Sequence, residues 1–170
     1  MERLEMDVMM IRVNACMNSG RYAEARRLLE TVIEAEPSHG IAHGMLGWIC
    51  WALLDEHDRA LTHFRCGVRW APNYTNTWMH YLNLLAGDGL EQELHEVYLR
   101  ALNVAGIDRA AVFNIVARYL ERTGRHSDAL QLYINARNAT CDASAYAEHA
   151  ASIRRLRKRM RRERFSFLFF

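Results

Sequence analysis

Apolar residues recur along the chain at the spacing of one helical face, and the pattern returns every 34 or 35 residues. Each unit has a mostly small residue, a large apolar residue four positions later, and a mostly small residue three positions after that. The three columns hold Ala25, Ala60, Leu94 and Ala129; Leu29, Phe64, Tyr98 and Tyr133; and Val32, Gly67, Ala101 and Ala136. Offsets of four and three place all three positions on one face of a helix. The pattern therefore predicts four helices that each pack against a neighbour.

A second helix is predicted before each of these four, so the units are helix pairs. Gly20, Gly89 and Gly124 lie in the turns between paired helices, where a helix often ends in a left-handed residue. Pro37 and Pro72 close the first two units, because proline cannot continue a helix. The predicted pairs are 3–18 with 22–35, 40–54 with 57–70, 75–86 with 90–104, and 109–122 with 126–138, and a ninth helix spans 142–163.

The repeat resembles the tetratricopeptide (TPR) motif, whose signature runs W-x2-L-G-x2-Y, then A-x3-F-x2-A, then P. The second unit fits best, with Leu46-Gly47, Ala60, Phe64 and Pro72, although it has one extra residue near Asp55. The resemblance implies an all-α fold, a right-handed superhelical solenoid of antiparallel helix pairs. We expect four TPR-like pairs over 1–141, a basic amphipathic capping helix over 142–163, and an apolar aromatic tail over 164–170.

Composition favours a helical protein of the cytoplasm. The chain has 170 residues, of which two are proline, and 51% are hydrophobic. Its four cysteines are far apart and form no C-x-x-C pair, so we expect reduced, mostly buried thiols. The first residues mix acidic and apolar side chains and do not resemble a secretory signal. No apolar run is long enough to predict a membrane span.

Charge divides the chain into an acidic body and a basic end. Residues 151–170 carry a net charge of +7, so the other residues carry −5 within the total of +2. An apolar stripe of Tyr146, His149, Ile153, Leu156 and Met160 is expected to lie on the last repeat. The exposed basic face and the aromatic tail form a second candidate site, which contains Arg154, Arg155, Arg157, Lys158, Arg161, Arg162, Phe165, Phe167 and Phe169.

The tail has three possible roles that the sequence leaves open. It could fold back onto the solenoid, because large apolar patches rarely stay exposed. It could dock on another copy of the chain or on another protein. It could also contact an anionic membrane surface, which attracts cationic residues beside aromatic ones. Nucleic acid is disfavoured as a partner, since only the arginine run suggests it and the body is acidic.

The resemblance implies an inner groove lined by the first helix of each pair. Family geometry places these residues there: Met10, Asn14, Met45, Trp48, Trp51, Met79, His80, Asn83, Asn114 and Arg118. This lining is aromatic and rich in methionine, which adapts to varied partners, while tryptophan often dominates binding energies. We therefore expect the groove to hold an apolar or amphipathic peptide. The carboxylate clamp that some TPR proteins use on heat-shock chaperones is not expected, since only Asn14 matches among Met10, Asn14, Met45, Asn76 and His80.

Trp48 and Trp51 have a second interpretation as core residues. They lie three positions apart on a helix that also presents Leu46 and Cys50 to its neighbours, so we do not expect both to point the same way. Either one could face the groove or the core.

No catalytic or metal site is predicted. His39 and His43 are four residues apart, but no third ligand lies at a suitable spacing, and His39 falls at a helix start. The polar cluster 55–58 is expected to cap a helix. Phosphate-binding loops and nucleophile motifs are lacking. We therefore predict a non-catalytic adaptor or chaperone without cofactors; the alternative is a membrane-surface or self-assembly protein that acts through the basic helix and tail.

Overall fold

The computed structural model describes the backbone of residues 3–166 and the side chains of 4–163. This part of the chain is all-α, as predicted. Its nine helices are α1 (Arg3–Asn18), α2 (Tyr22–Ala35), α3 (Gly40–Leu54), α4 (His57–Trp70), α5 (Thr75–Asp88), α6 (Glu91–Ala101), α7 (Arg109–Arg122), α8 (His126–Ala139) and α9 (Ala143–Ser166). Predicted and observed ends differ by at most three residues. The largest differences are α6, which ends at Ala101, and α9, which continues to Ser166 through part of the predicted tail.

The chain forms two compact units, Met1–Leu84 (unit 1) and Leu85–Phe170 (unit 2), and the division falls within α5. In unit 1, α2 packs against both α1 and α3, and α3 packs against α4. In unit 2, α7 packs against both α6 and α8, and α8 packs against α9. Within each unit, therefore, helices that follow one another along the chain pack side by side.

Left-handed residues end the first helix of each pair, as the glycines predicted. Gly20, Gly89 and Gly124 have φ angles of 73°, 74° and 81°, which glycine adopts without steric cost. The second pair turns instead at Asp55, whose φ is 56° and which caps α3. The extra residue near Asp55 is thus accommodated in the turn, and both helices of the pair keep their pattern.

The repeated columns form the core of unit 1. Ala25, Leu29 and Val32 of α2 are fully buried, and so is Phe64 of α4. The Phe64 ring lies 5.8 Å from the ring of Tyr81 and packs against Gly47, where an added Cβ would approach Phe64 to within 2.8 Å. The glycine of the Leu46-Gly47 pair is therefore required by close packing of α3 on α4.

The side chain of Thr77 in α5 packs closely against two glycines. Its side chain is 1% exposed, and a Cβ at Gly44 would lie 2.0 Å from the Thr77 Oγ1 atom, while a Cβ at Gly67 would lie 2.8 Å from Cγ2. Thr77 Oγ1 is buried and makes no hydrogen bond to any described residue. Shape, and not polarity, therefore fixes this contact.

Both prolines contribute a carbonyl to the next helix. The His43 Nε2 atom donates to the Pro37 carbonyl at 3.0 Å, and the Trp78 Nε1 atom donates to the Pro72 carbonyl at 2.8 Å. Both donors lie six residues after the proline and near the start of a first helix. A ring-to-carbonyl bond thus ties each of the first two interrepeat turns to the helix that follows it.

The same columns fill the core of unit 2. Ala129, Tyr133 and Ala136 of α8 are buried, with exposed fractions of at most 1%. The predicted stripe of α9 packs on α8 through His149, Ile153 and Leu156, which are also buried. Tyr146 departs from the prediction: it is 50% exposed, and the guanidinium of Arg137 lies 5.8 Å from its ring centre.

Candidate functional site

A cavity of about 280 Å³ opens in unit 1 between α3 and α5. Met45 and Trp48 of α3 and His80 of α5, three of the residues predicted to face a groove, line it. Met17, Tyr74 and Thr77 also line it, and the sequence analysis did not select them. Met17 lies three residues after Asn14 on the same face of α1, so helical periodicity could have identified it. Tyr74 precedes α5, and no periodic signal marks a residue outside a helix.

Trp48 is held between two other rings. Its ring centre lies 5.6 Å from that of Tyr22, in an edge-on arrangement, and 6.2 Å from that of His80. Aromatic pairs at these distances stabilise each other beyond their buried area. Trp48 is half-buried, so it keeps one part of its surface toward the cavity.

Trp51 approaches the same histidine, although the two tryptophans were not expected to point the same way. The ring centres of Trp51 and His80 are also 6.2 Å apart. Residues three apart on a helix differ by less than a right angle in direction, so a side chain from the neighbouring helix can touch both. Trp51 is half-buried but does not line the cavity.

His80 is uncharged at neutral pH. Burial lowers its pKa below the ordinary value of 6.5, because the charged imidazolium would lose hydration. The cavity wall in unit 1 therefore consists of methionine, aromatic rings and neutral polar groups.

The other predicted groove residues do not share this cavity. Met10 and Met79 are half-buried, and Asn14 is exposed. Asn83 donates its amide N–H to the Met79 carbonyl at 2.8 Å, so it is satisfied within its own helix. Asn114 and Arg118 line a separate polar cavity of about 540 Å³ in unit 2.

A third cavity, of about 800 Å³, lies in unit 2 between α6 and α8. Leu94, Val116, Leu120 and Leu132 form its apolar floor, and charged residues such as Glu91 surround it. The sequence analysis did not predict it, because the family pattern directed attention to the first helix of each pair, whereas α6 and α8 are second helices.

The histidines considered as ligands have structural partners. His39 caps α3 by accepting the Ala42 N–H at 3.1 Å. His43 uses Nε2 for the Pro37 carbonyl and Nδ1 for a 2.9 Å contact with His63 Nδ1. Among the described residues no group of three histidine, cysteine or acidic side chains could hold a metal ion.

The basic residues of α9 divide into two sets. Arg155 reaches Glu121 of α7 at 2.9 Å, and Arg159 pairs with Glu163 at 3.0 Å. The other predicted cations up to residue 163 are exposed, namely Arg154, Arg157, Lys158, Arg161 and Arg162. The side chains of Phe165, Phe167 and Phe169 lie outside the described residues.

Comparisons with known proteins agree with this architecture. The family model described as tetratricopeptide repeat matches residues 12–72. No curated protein sequence matches the chain significantly. No helix among the described residues is long and apolar enough to cross a membrane.

Solved TPR structures superpose on most of the chain. PilF of Pseudomonas aeruginosa has a TM-score of 0.76 at 16% identity, covering 92% of this chain and 69% of PilF. YrrB, a TPR protein with an unusual peptide-binding site, has a TM-score of 0.68 at 21% identity, covering 82% of this chain and 71% of YrrB. MamA has a TM-score of 0.70 at 13% identity, covering 79% of this chain and 77% of MamA. At these identities the likeness establishes the fold alone: the chain has a TPR-like fold of antiparallel helix pairs, and residues 12–72 match the tetratricopeptide repeat itself.

Proposed function

We propose that the chain is a non-catalytic interaction protein that binds an apolar or amphipathic peptide through the cavity in unit 1. The TPR fold supports protein interaction in general, and TPR proteins are generally scaffolds without catalysis. The observation that carries the finer proposal is the wall of Met45, Trp48 and His80, which is apolar or uncharged. A volume of about 280 Å³ is at the low end of small-molecule pockets and suits one large side chain of a peptide.

Met45 and Trp48 would supply most of the affinity. Tryptophan in a partly enclosed site is a typical hot spot, and Tyr22 and His80 already fix the Trp48 ring, so binding need not immobilise it. YrrB is described as a peptide-binding TPR protein, which supports the same class of ligand here. The proposal includes an adaptor or chaperone role in the cytoplasm, supported by four cysteines that are all free thiols.

The test uses peptides selected on the intact chain from a random displayed library. We expect the selected peptides to share a large apolar residue, and Trp48→Ala to weaken their binding by about tenfold or more, a loss typical of a hot spot. Affinity would be measured by fluorescence anisotropy. Trp70→Ala is the matched control, because Trp70 is 50% exposed in the same unit and does not line the cavity.

The proposal fails if the selected peptides bind Trp48→Ala as tightly as the parent chain while its circular dichroism is unchanged. Equal losses for Trp48→Ala and Trp70→Ala would also contradict it, because they would indicate a general effect of removing tryptophan.

A second candidate function uses the outer face of α9. Arg154, Arg157, Lys158 and Arg161 are exposed and have no partner among the described residues, so this face suits an anionic bilayer. The Phe-rich tail would add membrane contact or self-association. We expect sedimentation with vesicles that contain phosphatidylserine, with binding reduced several-fold when these four residues become glutamine. Equal sedimentation of parent and variant would exclude this role.

A further inference from the structure

The cavity of about 800 Å³ between α6 and α8 lies outside the predicted groove, and the proposed function does not use it. Leu94, Val116 and Leu120 of its floor are 2%, 8% and 7% exposed, and Leu132 is half-buried. Sites that hold a drug-sized ligand measure about 300–1,000 Å³. The cavity is therefore large enough for two large apolar side chains.

The rim of this cavity is acidic. It contains three carboxylates and one guanidinium, which belong to Glu91, Glu96, Asp128 and Arg125. The Arg125 guanidinium lies 2.7 Å from the carboxylate of Glu91 and 2.8 Å from that of Asp128. Glu96 is exposed and has no ion pair among the described residues. With His95 counted as neutral, three negative charges and one positive charge give the rim a net charge of −2.

The C-terminal end of α9 lies beside the cavity. The Oε2 atom of Glu163 is 3.0 Å from Nδ1 of His126, which is the first residue of α8. Arg125 and Asp128, on either side of His126 in the sequence, both line the cavity. The backbone of α9 continues to Ser166, and the four residues after it can span about 13 Å at about 3.3 Å per residue. A helix is about 10–12 Å across, so these residues are long enough to pass around the start of α8.

The composition of the tail, residues 164–170, is complementary to this cavity. Its large apolar residues are Phe165, Phe167, Leu168, Phe169 and Phe170, and large apolar patches rarely stay exposed. Residues 151–170 carry a net charge of +7, opposite in sign to the rim. An apolar segment that follows a run of cations thus matches an apolar floor surrounded by carboxylates.

We propose that the tail docks in this cavity of its own chain. Its phenylalanines cover the leucine floor, and Arg164 lies near Glu96 at the rim. Each buried phenylalanine removes about 150–250 Å² of surface from water. Because the tail is tethered next to the cavity, its effective concentration there is in the millimolar range. The contact therefore forms within one chain in preference to a second copy.

This inference goes beyond the proposed function, because it concerns unit 2 alone and holds whether or not the unit 1 cavity binds a peptide. A docked tail is withheld from a bilayer, so contact of the tail with a membrane surface requires its release from the cavity. The exposed cations of α9, such as Arg154, take no part in the docking.

The test places a photocrosslinker in the tail of the full chain. Phe169 is replaced by p-benzoylphenylalanine, the dilute protein is irradiated, and the crosslinked peptides are identified by mass spectrometry. We expect most crosslinks to join residue 169 to cavity residues on α6, α7 and α8, and the crosslinked product to run as a monomer in denaturing electrophoresis.

Two pairs of variants in this labelled chain examine the floor and the rim. Leu132→Glu should lower the yield of these crosslinks about fivefold, because a carboxylate in the wall disfavours apolar side chains. Its control is Leu99→Glu, since Leu99 is 48% exposed on α6 and does not line the cavity. Glu96→Lys should lower the yield about threefold at low salt, as expected for a surface charge pair. Its control is Glu34→Lys, at an exposed position of unit 1.

Several results would overturn the proposal. Crosslinks to unit 1, crosslinked dimers, or an absence of crosslinks would place the tail in another site, on another copy, or in solvent. Equal yields for Leu132→Glu and Leu99→Glu at unchanged thermal midpoints would exclude the floor, and equal yields for Glu96→Lys and Glu34→Lys would exclude the rim. If Leu132→Glu does not fold, the crosslink positions in the labelled chain without further changes still decide the site.

Discussion

Gly44→Ala is expected to destabilise the protein by about 2 kcal/mol, because the new methyl group collides with Thr77. The added Cβ would lie 2.0 Å from Thr77 Oγ1 and 3.2 Å from its Cβ, and the Cγ2 atom of Thr77 already packs closely on Gly67. Overpacking of this kind costs about 1–3 kcal/mol. We expect a steric cost near the upper end of that range. The better helix propensity of alanine offsets about 1 kcal/mol of this cost. Urea unfolding followed by circular dichroism would measure the difference.

Gly87→Ala is the matched control. Gly87 also lies in a helix, near the end of α5, but no atom lies within 4 Å of an added Cβ. There the same substitution should stabilise by about 0.5 kcal/mol through propensity alone. In a Thr77→Ala background the cost of Gly44→Ala should fall below about 1 kcal/mol, since the obstructing oxygen is gone. A cost of Gly44→Ala that is the same in both backgrounds would contradict the contact.

Acidification from pH 7 to pH 5 is expected to destabilise the protein by about 1–2 kcal/mol through His63 alone. Burial, the neighbouring His43 and the charge of Arg59 lower the pKa of His63 from 6.5 to about 4. In this window the unfolded chain binds a proton that the folded chain does not, so unfolding is favoured as pH falls. Each pH unit below 6.5 removes up to about 1.4 kcal/mol, and the half-buried position of His63 reduces that value.

The hydrogen bonds fit an unprotonated His63. The Pro37 carbonyl can only accept, so His43 Nε2 donates to it, and neutral His43 then offers a bare Nδ1 to the Nδ1–H of His63. His63→Gln keeps a donor for His43 but does not titrate, so its stability should vary less between pH 7 and pH 5. His95→Gln, on the exposed surface of α6, should keep the parental dependence. Parallel pH curves for the parent and His63→Gln would refute this assignment.

The candidate sites were predictable in part. Met45, Trp48 and His80 were selected from the family pattern and do line one cavity. Asn114 and Arg118 were assigned to the same groove, but they line a cavity in the other unit. His149 was assigned to an apolar stripe, and it is indeed buried, yet it also lines the polar cavity. The stripe predicted the burial of His149 correctly, because burial follows the helical period. The period does not indicate which side chains of other helices surround a buried residue.

The sequence by itself determined the helices, their ends and the residues that face the core. These features depend on local geometry. The 3.6-residue period places Ala25, Leu29 and Val32 on one face, and glycine and proline end a helix through the backbone conformation of their own turn. Only the tertiary structure decided that Arg155 reaches Glu121 across 34 residues while Arg154 faces solvent. Adjacent arginines on one helix look alike in sequence, because a helix sets only the direction of a side chain. The residues that the side chain contacts depend on how the other helices pack. Close contacts at glycine, such as Gly44 against Thr77, determine that packing.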